Sequence, residues 1–235
     1  MAEPLLLPTA DPTAPGSAPP AAAVPTTTTF TSPASLADFQ QPMQAYLATH
    51  PEFDGIAVGA CVFSQPQPQP QSQSQSQSQS DLHFSTEEPR ILLVQRAPTD
   101  SMPLLWEVPG GACDFEDESL LHAVARELRE ESGLRARRVE ALVLVDGPGS
   151  GSASGPGSGG GSGMTKFSFL VEVESSDDVK LDPVEHVAFM WVTEDEARNK
   201  KCGDVEFKYT MPRQMQVVLK AFEMKKQEGQ SAEKV

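Results

Sequence analysis

Two stretches of this chain cannot bury anything, and they decide where a core can form. Gln65 to Ser80 repeats Pro-Gln and Ser-Gln, and Gly147 to Gly163 is almost pure Gly and Ser with two prolines. Neither offers the large apolar side chains whose burial offsets the entropy of ordering. Residues 1–32, rich in Pro, Ala and Thr, are expected to be disordered for the same reason. What remains is one domain, 33–227, interrupted by inserts at 65–80 and 147–163 and followed by a flexible tail, 228–235.

Charge narrows the function. The formal net charge is -15, and no Lys or Arg precedes Arg90. A basic face for tracking a phosphate backbone is missing over the first third, which argues against nucleic acid as a partner. An acidic protein that handles phosphates needs a cationic bridge, and a divalent ion supplies one. The three cysteines, Cys61, Cys113 and Cys202, are widely spaced and form neither a disulfide framework nor a zinc pattern. The start has a short apolar run, Leu5 to Leu7, without the basic flank or length of a targeting signal, and no stretch is long enough to span a membrane. The expected compartment is the cytoplasm, with the nucleus also open.

Between the inserts, periodicity alternates. Ser35 to His50 carries a rough helical stripe that Pro42 must interrupt. Gly55 to Ser64 and Ile91 to Gln95 read as strands, expected to form a hairpin whose loop has swollen. Leu105 to Val108 is a short strand feeding Pro109-Gly110-Gly111. A helix is expected from about Glu118 to Ser132, stopped by Gly133. Strands follow at Val139 to Val145, Phe167 to Val173 and Ala188 to Val192. Thr193 and Glu196 form a capping box, and a last helix covers roughly Arg213 to Lys225. This order predicts an α/β sandwich around a mixed sheet.

The helix at Glu118 to Ser132 is unusual. Leu120, Leu121, Val124, Ala125 and Leu128 make an ordinary core stripe. Beside it cluster Glu127, Glu130 and Glu131, neighbours at i,i+3 and i,i+4. Each like-charge pair costs a few tenths of a kcal/mol, and anions near a helix C-terminus cost roughly 0.3–1 kcal/mol each. A hard dication reverses that balance, because it takes several carboxylate oxygens and leaves positions for water and phosphate. Arg126 is an i,i+4 partner for Glu130 and can hold one carboxylate while the others bind metal. Gly110-Gly111 lets backbone amides approach a ligand closely.

The run GGACDFEDESLLHAVARELREESGL, Gly110 to Leu134, resembles the signature of the Nudix hydrolases, G-x5-E-x7-R-E-U-x-E-E-x-G-U with U a bulky aliphatic. From Glu118 onward the match is complete. Upstream, six residues separate Gly111 from Glu118 instead of five, so either the loop has gained a residue or Asp117 takes the early acidic position. The resemblance implies the Nudix α/β/α sandwich and hydrolysis of a nucleoside diphosphate linked to another moiety, with Mg²⁺ or Mn²⁺. It implies Glu127, Glu130 and Glu131 as metal ligands, Arg126 as the residue that orients them, and Gly110, Gly111 and Glu118 in the binding loop.

Glu130 or Glu131 is expected to help deprotonate the attacking water, so Arg126, Glu130 and Glu131 form the catalytic set. A base from outside the box is the alternative, with Glu185 and His186 as candidates. Phe167 and Phe169 suit a base-stacking role but read first as core, as do Trp106 and Trp191. Cys113 lacks a nearby general base and is discounted as a nucleophile. Two other functions compete: a catalytically silent nucleotide sensor on the same fold, and an interaction protein acting through its low-complexity segments. The intact, self-repelling glutamate set favours the hydrolase.

Overall fold

The computed structural model describes residues 29–65, 88–147 and 164–232. Of the segment 1–32 expected to be disordered, positions 1–28 lie outside those residues, as do most of both low-complexity segments, while Thr31 is hydrogen-bonded to the sheet.

Strands β1 (Gly55–Val62), β2 (Ile91–Arg96), β3 (Trp106–Glu107), β4 (Ala136–Asp146), β5 (Met164–Val173) and β6 (His186–Val192) form two three-stranded sheets. One runs β1-β5-β4, with β1 parallel to β5 and β5 antiparallel to β4. The other is antiparallel, in the order β3-β2-β6. Both β1 and β2 read as continuous apolar runs because both faces are covered. Ile56, Val58, Ala60, Leu92 and Val94 join the core beneath α2 (Leu120–Ser132). Cys61, Phe63, Ile91 and Leu93 join a second core with Val217, Val218 and Phe222 of α4 (Pro212–Ala232). The outcome is the expected helix-sheet-helix sandwich.

The expected hairpin does not form. Strands β1 and β2 sit in different sheets and meet where Phe63 bridges Ile91 and the Ser64 amide donates to Arg90 O at 2.8 Å. The edge of β1 is instead taken by residues 109–113. The amides of Val58 and Ala60 donate to Gly111 O and Pro109 O, both at 2.8 Å, and the Cys113 amide donates to Ile56 O at 3.0 Å. Since β3 pairs with β2 just upstream, the short run 106–113 ties the two sheets together.

Pro42 interrupts the first helical segment as expected. A 3-10 turn covers Ala34–Phe39, and α1 (Met43–Thr49) starts after the proline, which has no amide to satisfy there. The chain joins the sheet before position 33, because Thr31 exchanges backbone hydrogen bonds with Arg137 and Val139. At the other end α4 runs to Ala232, beyond 227. Helix α3 (Glu194–Asn199) carries the Thr193–Glu196 capping box. A small hairpin, β7 (Lys201–Cys202) with β8 (Val205–Glu206), has no periodic signal and was not expected. Phe167, Phe169 and Trp106 are buried in the cores, so none of them is a stacking platform for a base.

Candidate active site

Helix α2 begins at Ser119, whose side chain accepts from the His122 amide at 3.2 Å, and not at Glu118. It ends at Gly133, which takes the left-handed conformation (φ +73°) and donates to Arg129 O. The leucine and valine stripe faces the core. Glu127, Glu130 and Glu131 leave the helix beside that stripe, Glu127 and Glu131 buried and Glu130 with its side chain 57% exposed.

Arg126 organises this edge with all five of its N–H donors. Its Nε and Nη2 donate to the two carboxylate oxygens of Asp117, each at 2.9 Å. Nη1 donates to Glu127 Oε1 at 2.9 Å and Glu130 Oε2 at 3.0 Å, and Nη2 also reaches Ala112 O at 3.1 Å. One guanidinium thus ties two box glutamates to the preceding loop, and its hydrogen bonds with Asp117 raise its own pKa further. The same contacts bear on the extra residue before the box. Asp117 occupies the position that braces Arg126, whereas Glu118 is turned to His122, 3.5 Å away at the helix start. Glu118 is not brought to the carboxylate cluster.

The loop is closed on the other glutamates. Gly110 has φ +148°, and an added Cβ would stand 2.2 Å from Val58 O on β1, so only glycine fits. Its amide donates to Glu131 Oε2 at 2.6 Å. A Cβ at Gly111 would lie 2.8 Å from Glu127 Oε2. Both glycines therefore serve close approach of backbone to the carboxylates.

Electrostatics set these carboxyls apart from surface ones. Burial pushes Glu131 up to about 8, with Glu107 and Glu127 adding to it and the Gly110 amide opposing. Burial likewise raises Glu127, against the pull of Arg126, with Glu130 and Glu185 contributing in the same direction as burial. Partly desolvated oxygen donors of this kind fit a hard divalent cation, which removes both the repulsion and the desolvation cost. Glu127 and Glu130 converge on Arg126 Nη1, while Glu131 turns to the loop and to β6.

Several neighbours were not anticipated. Glu107 on β3 is buried and paired with Arg96, accepts from Thr210 Oγ1 at 3.4 Å, and lies 3.9 Å from Lys166 Nζ. Arg96 in turn holds Asp100 through two hydrogen bonds, at 2.9 and 2.7 Å, which draw the Asp100 carboxyl down to about 2. The one sequence signal for Glu107 was a charge inside an apolar strand. Glu185 and His186, considered as bases outside the box, are brought to Glu131: one ligand atom from each of the three lies within 4.8 Å of the others. Cys113 is buried, with its thiol pushed up to about 12 by burial, so it carries no nucleophile.

Residues 82–214 match the family model of the NUDIX domain. Similar solved structures include a Nudix hydrolase from Nitrosomonas europaea, at 22% identity over 73% of this chain and 90% of that one, with TM-score 0.46. A C. elegans Ap4A hydrolase binary complex shares 17% identity over 72% of this chain and 96% of that one, with TM-score 0.46. An ADP-ribose pyrophosphatase from Streptococcus suis 89-1591 shares 19% identity over 73% and 92%, with TM-score 0.44. Comparison with curated proteins gives no match. The family match spans more than half of the chain and contains the glutamate helix and its glycine loop, so this chain belongs to the Nudix hydrolase family.

Proposed function

We propose that the protein hydrolyses the diphosphate bond of a small nucleotide-like molecule, with Mg²⁺ or Mn²⁺ bound by Glu127, Glu130 and Glu131. One observation carries the reading: Glu127 and Glu131 are buried next to each other and to Glu107, with their pKa values raised, an arrangement that a dication would relieve. Bound there, such an ion would neutralise charge on the phosphate oxygens and acidify a water.

The chain's own residues do the positioning. Arg126 fixes the rotamers of Glu127 and Glu130 and ties both to the loop through Ala112 O and Asp117. Glu131 holds the Gly110 amide, so the loop backbone is placed before any substrate arrives. Glu130 is the solvent-facing member of the set, and we assign it the proton taken from the attacking water. Beyond Arg126, the cations Lys166 and Arg96, both close to Glu107, suit the substrate's remaining phosphate charge.

The test is a Mg²⁺-dependent screen of ADP-ribose, dinucleoside polyphosphates, oxidised nucleotides, nucleotide sugars and coenzyme A. Wild type is expected to turn over at least one compound. Glu130→Gln is expected to lose that activity by orders of magnitude while staying folded. Metal and nucleotide binding without turnover in the wild type would defeat the enzymatic reading and favour a sensor.

A further inference from the structure

His186 is the residue that the box chemistry leaves unexplained. It opens β6, where its backbone pairs with Arg96 and its amide donates to Asp182 O at 2.8 Å. The residue is 2% exposed, yet neither ring nitrogen has a hydrogen-bond partner among the described residues. A buried imidazole ordinarily donates an N–H to a carbonyl or carboxylate. Here the ring is desolvated without that compensation. An imidazole with neither nitrogen paired keeps a nitrogen lone pair available to an incoming ligand.

What surrounds the ring gives that lone pair a use. A carboxylate oxygen of Glu131, one of Glu185 and a ring nitrogen of His186 lie within 4.8 Å of one another. A dication with ligands at about 2.1 Å holds them about 3–4 Å apart, so rotamer-scale closing would complete the set. We propose that Glu131, Glu185 and His186 form a mixed nitrogen–oxygen site for a transition-metal dication, beside the all-oxygen position offered by Glu127 and Glu130.

The donor set fixes the kind of ion. Imidazole nitrogen suits Co²⁺ and later first-row ions best; Mn²⁺, though it favours oxygens, accepts a mixed set more readily than Mg²⁺, which demands near-ideal oxygen geometry and keeps its waters. Glu131 is shared between the two positions, so an ion at the histidine would sit against the box and not apart from it. The proposal deepens the hydrolase reading and rests on it for any catalytic consequence, but binding at the histidine is separable from turnover.

The test uses the full chain and the metals alone. With Mn²⁺ bound, pulsed EPR of wild type is expected to show coupling to a nitrogen nucleus, and His186→Gln is expected to abolish it. Calorimetric titration is expected to show Mn²⁺ and Co²⁺ affinity falling roughly 10-fold or more in both His186→Gln and Glu185→Gln, with Mg²⁺ binding essentially unchanged. Glu185 is exposed, so Glu185→Gln keeps the test decisive if His186→Gln fails to fold. A wild type without nitrogen coupling, or Mn²⁺ affinity preserved in Glu185→Gln, overturns the proposal. Nitrogen coupling with no turnover of any screened compound would uphold the site and sink the hydrolase reading. Mg²⁺-dependent turnover without nitrogen coupling would do the reverse.

Discussion

Two arginines gather acidic groups in this molecule, and they draw on very different distances along the chain. Arg126 takes all its partners from Ala112 to Glu130. Arg96 sits in a cluster drawn from Asp100, Glu107, Lys166 and Thr210, with His186 opposite it on the neighbouring strand. The first arrangement is fixed by one helix and one loop and persists wherever they stay together. The second exists only after β2, β3, β5 and β6 have assembled. Local geometry governs the glutamate edge, and global assembly governs what faces it.

Gly110 ties the loop to both Glu131 and β1, so its substitution should have the largest effect. In Gly110→Ala the new Cβ would collide with Val58 O on β1, at a cost on the order of 3 kcal/mol. A melting temperature unchanged from wild type would show that the loop can leave β1 freely. Next comes Arg126→Lys, which cannot supply five donors in a planar fork. Steady-state kinetics on the substrate found by screening should show about a 100-fold fall in kcat/KM, equivalent to about 2.7 kcal/mol. An effect under about 3-fold would show that Glu127 and Glu130 hold position without it.

A smaller effect separates the two adjacent acids before the helix. Asp117→Asn should cost roughly 10-fold in metal affinity, as loss of a residue bracing a ligand does, whereas Glu118→Ala should leave it unaltered. Calorimetric titration with Mg²⁺ checks both, and the opposite order would restore Glu118 to the binding loop. The smallest effect concerns the Arg96 cluster. Its hydrogen bonds hold the Asp100 carboxyl near 2, below the ordinary 3.8. A depressed carboxyl stabilises the fold above its ordinary value, and that contribution fades as pH falls through the folded value. Asp100→Asn should therefore unfold at lower urea than wild type at about pH 5, with the gap closing near pH 2. A gap that persists at pH 2 would assign the loss to packing instead.

The same contrast explains what could be read in advance. The glutamate helix was legible because spacing on one helix is a local property, and Arg126 duly meets Glu130 at i,i+4. Spacing could not choose between Asp117 and Glu118, since one extra loop residue shifts the register; the bidentate contact with Arg126 decides it. The hairpin expectation failed because strand pairing depends on what else competes for an edge, and residues 109–113 won the edge of β1. Glu107 and Arg96 were invisible as a pair for the same reason. Glu185 and His186 stood out as residue types, but only assembly of β6 against the helix brings them to Glu131.

The hydrogen bond between Ser64 and Arg90, and the pairing of Asp146 with Lys166 in β4 and β5, have a wider consequence. At each of these places the residues flanking an insert are held together as a single pair. A detour whose two ends are stapled together transmits no tension to the framework, whatever its length. Such points can absorb expansion or trimming over generations while the glutamate edge keeps its shape.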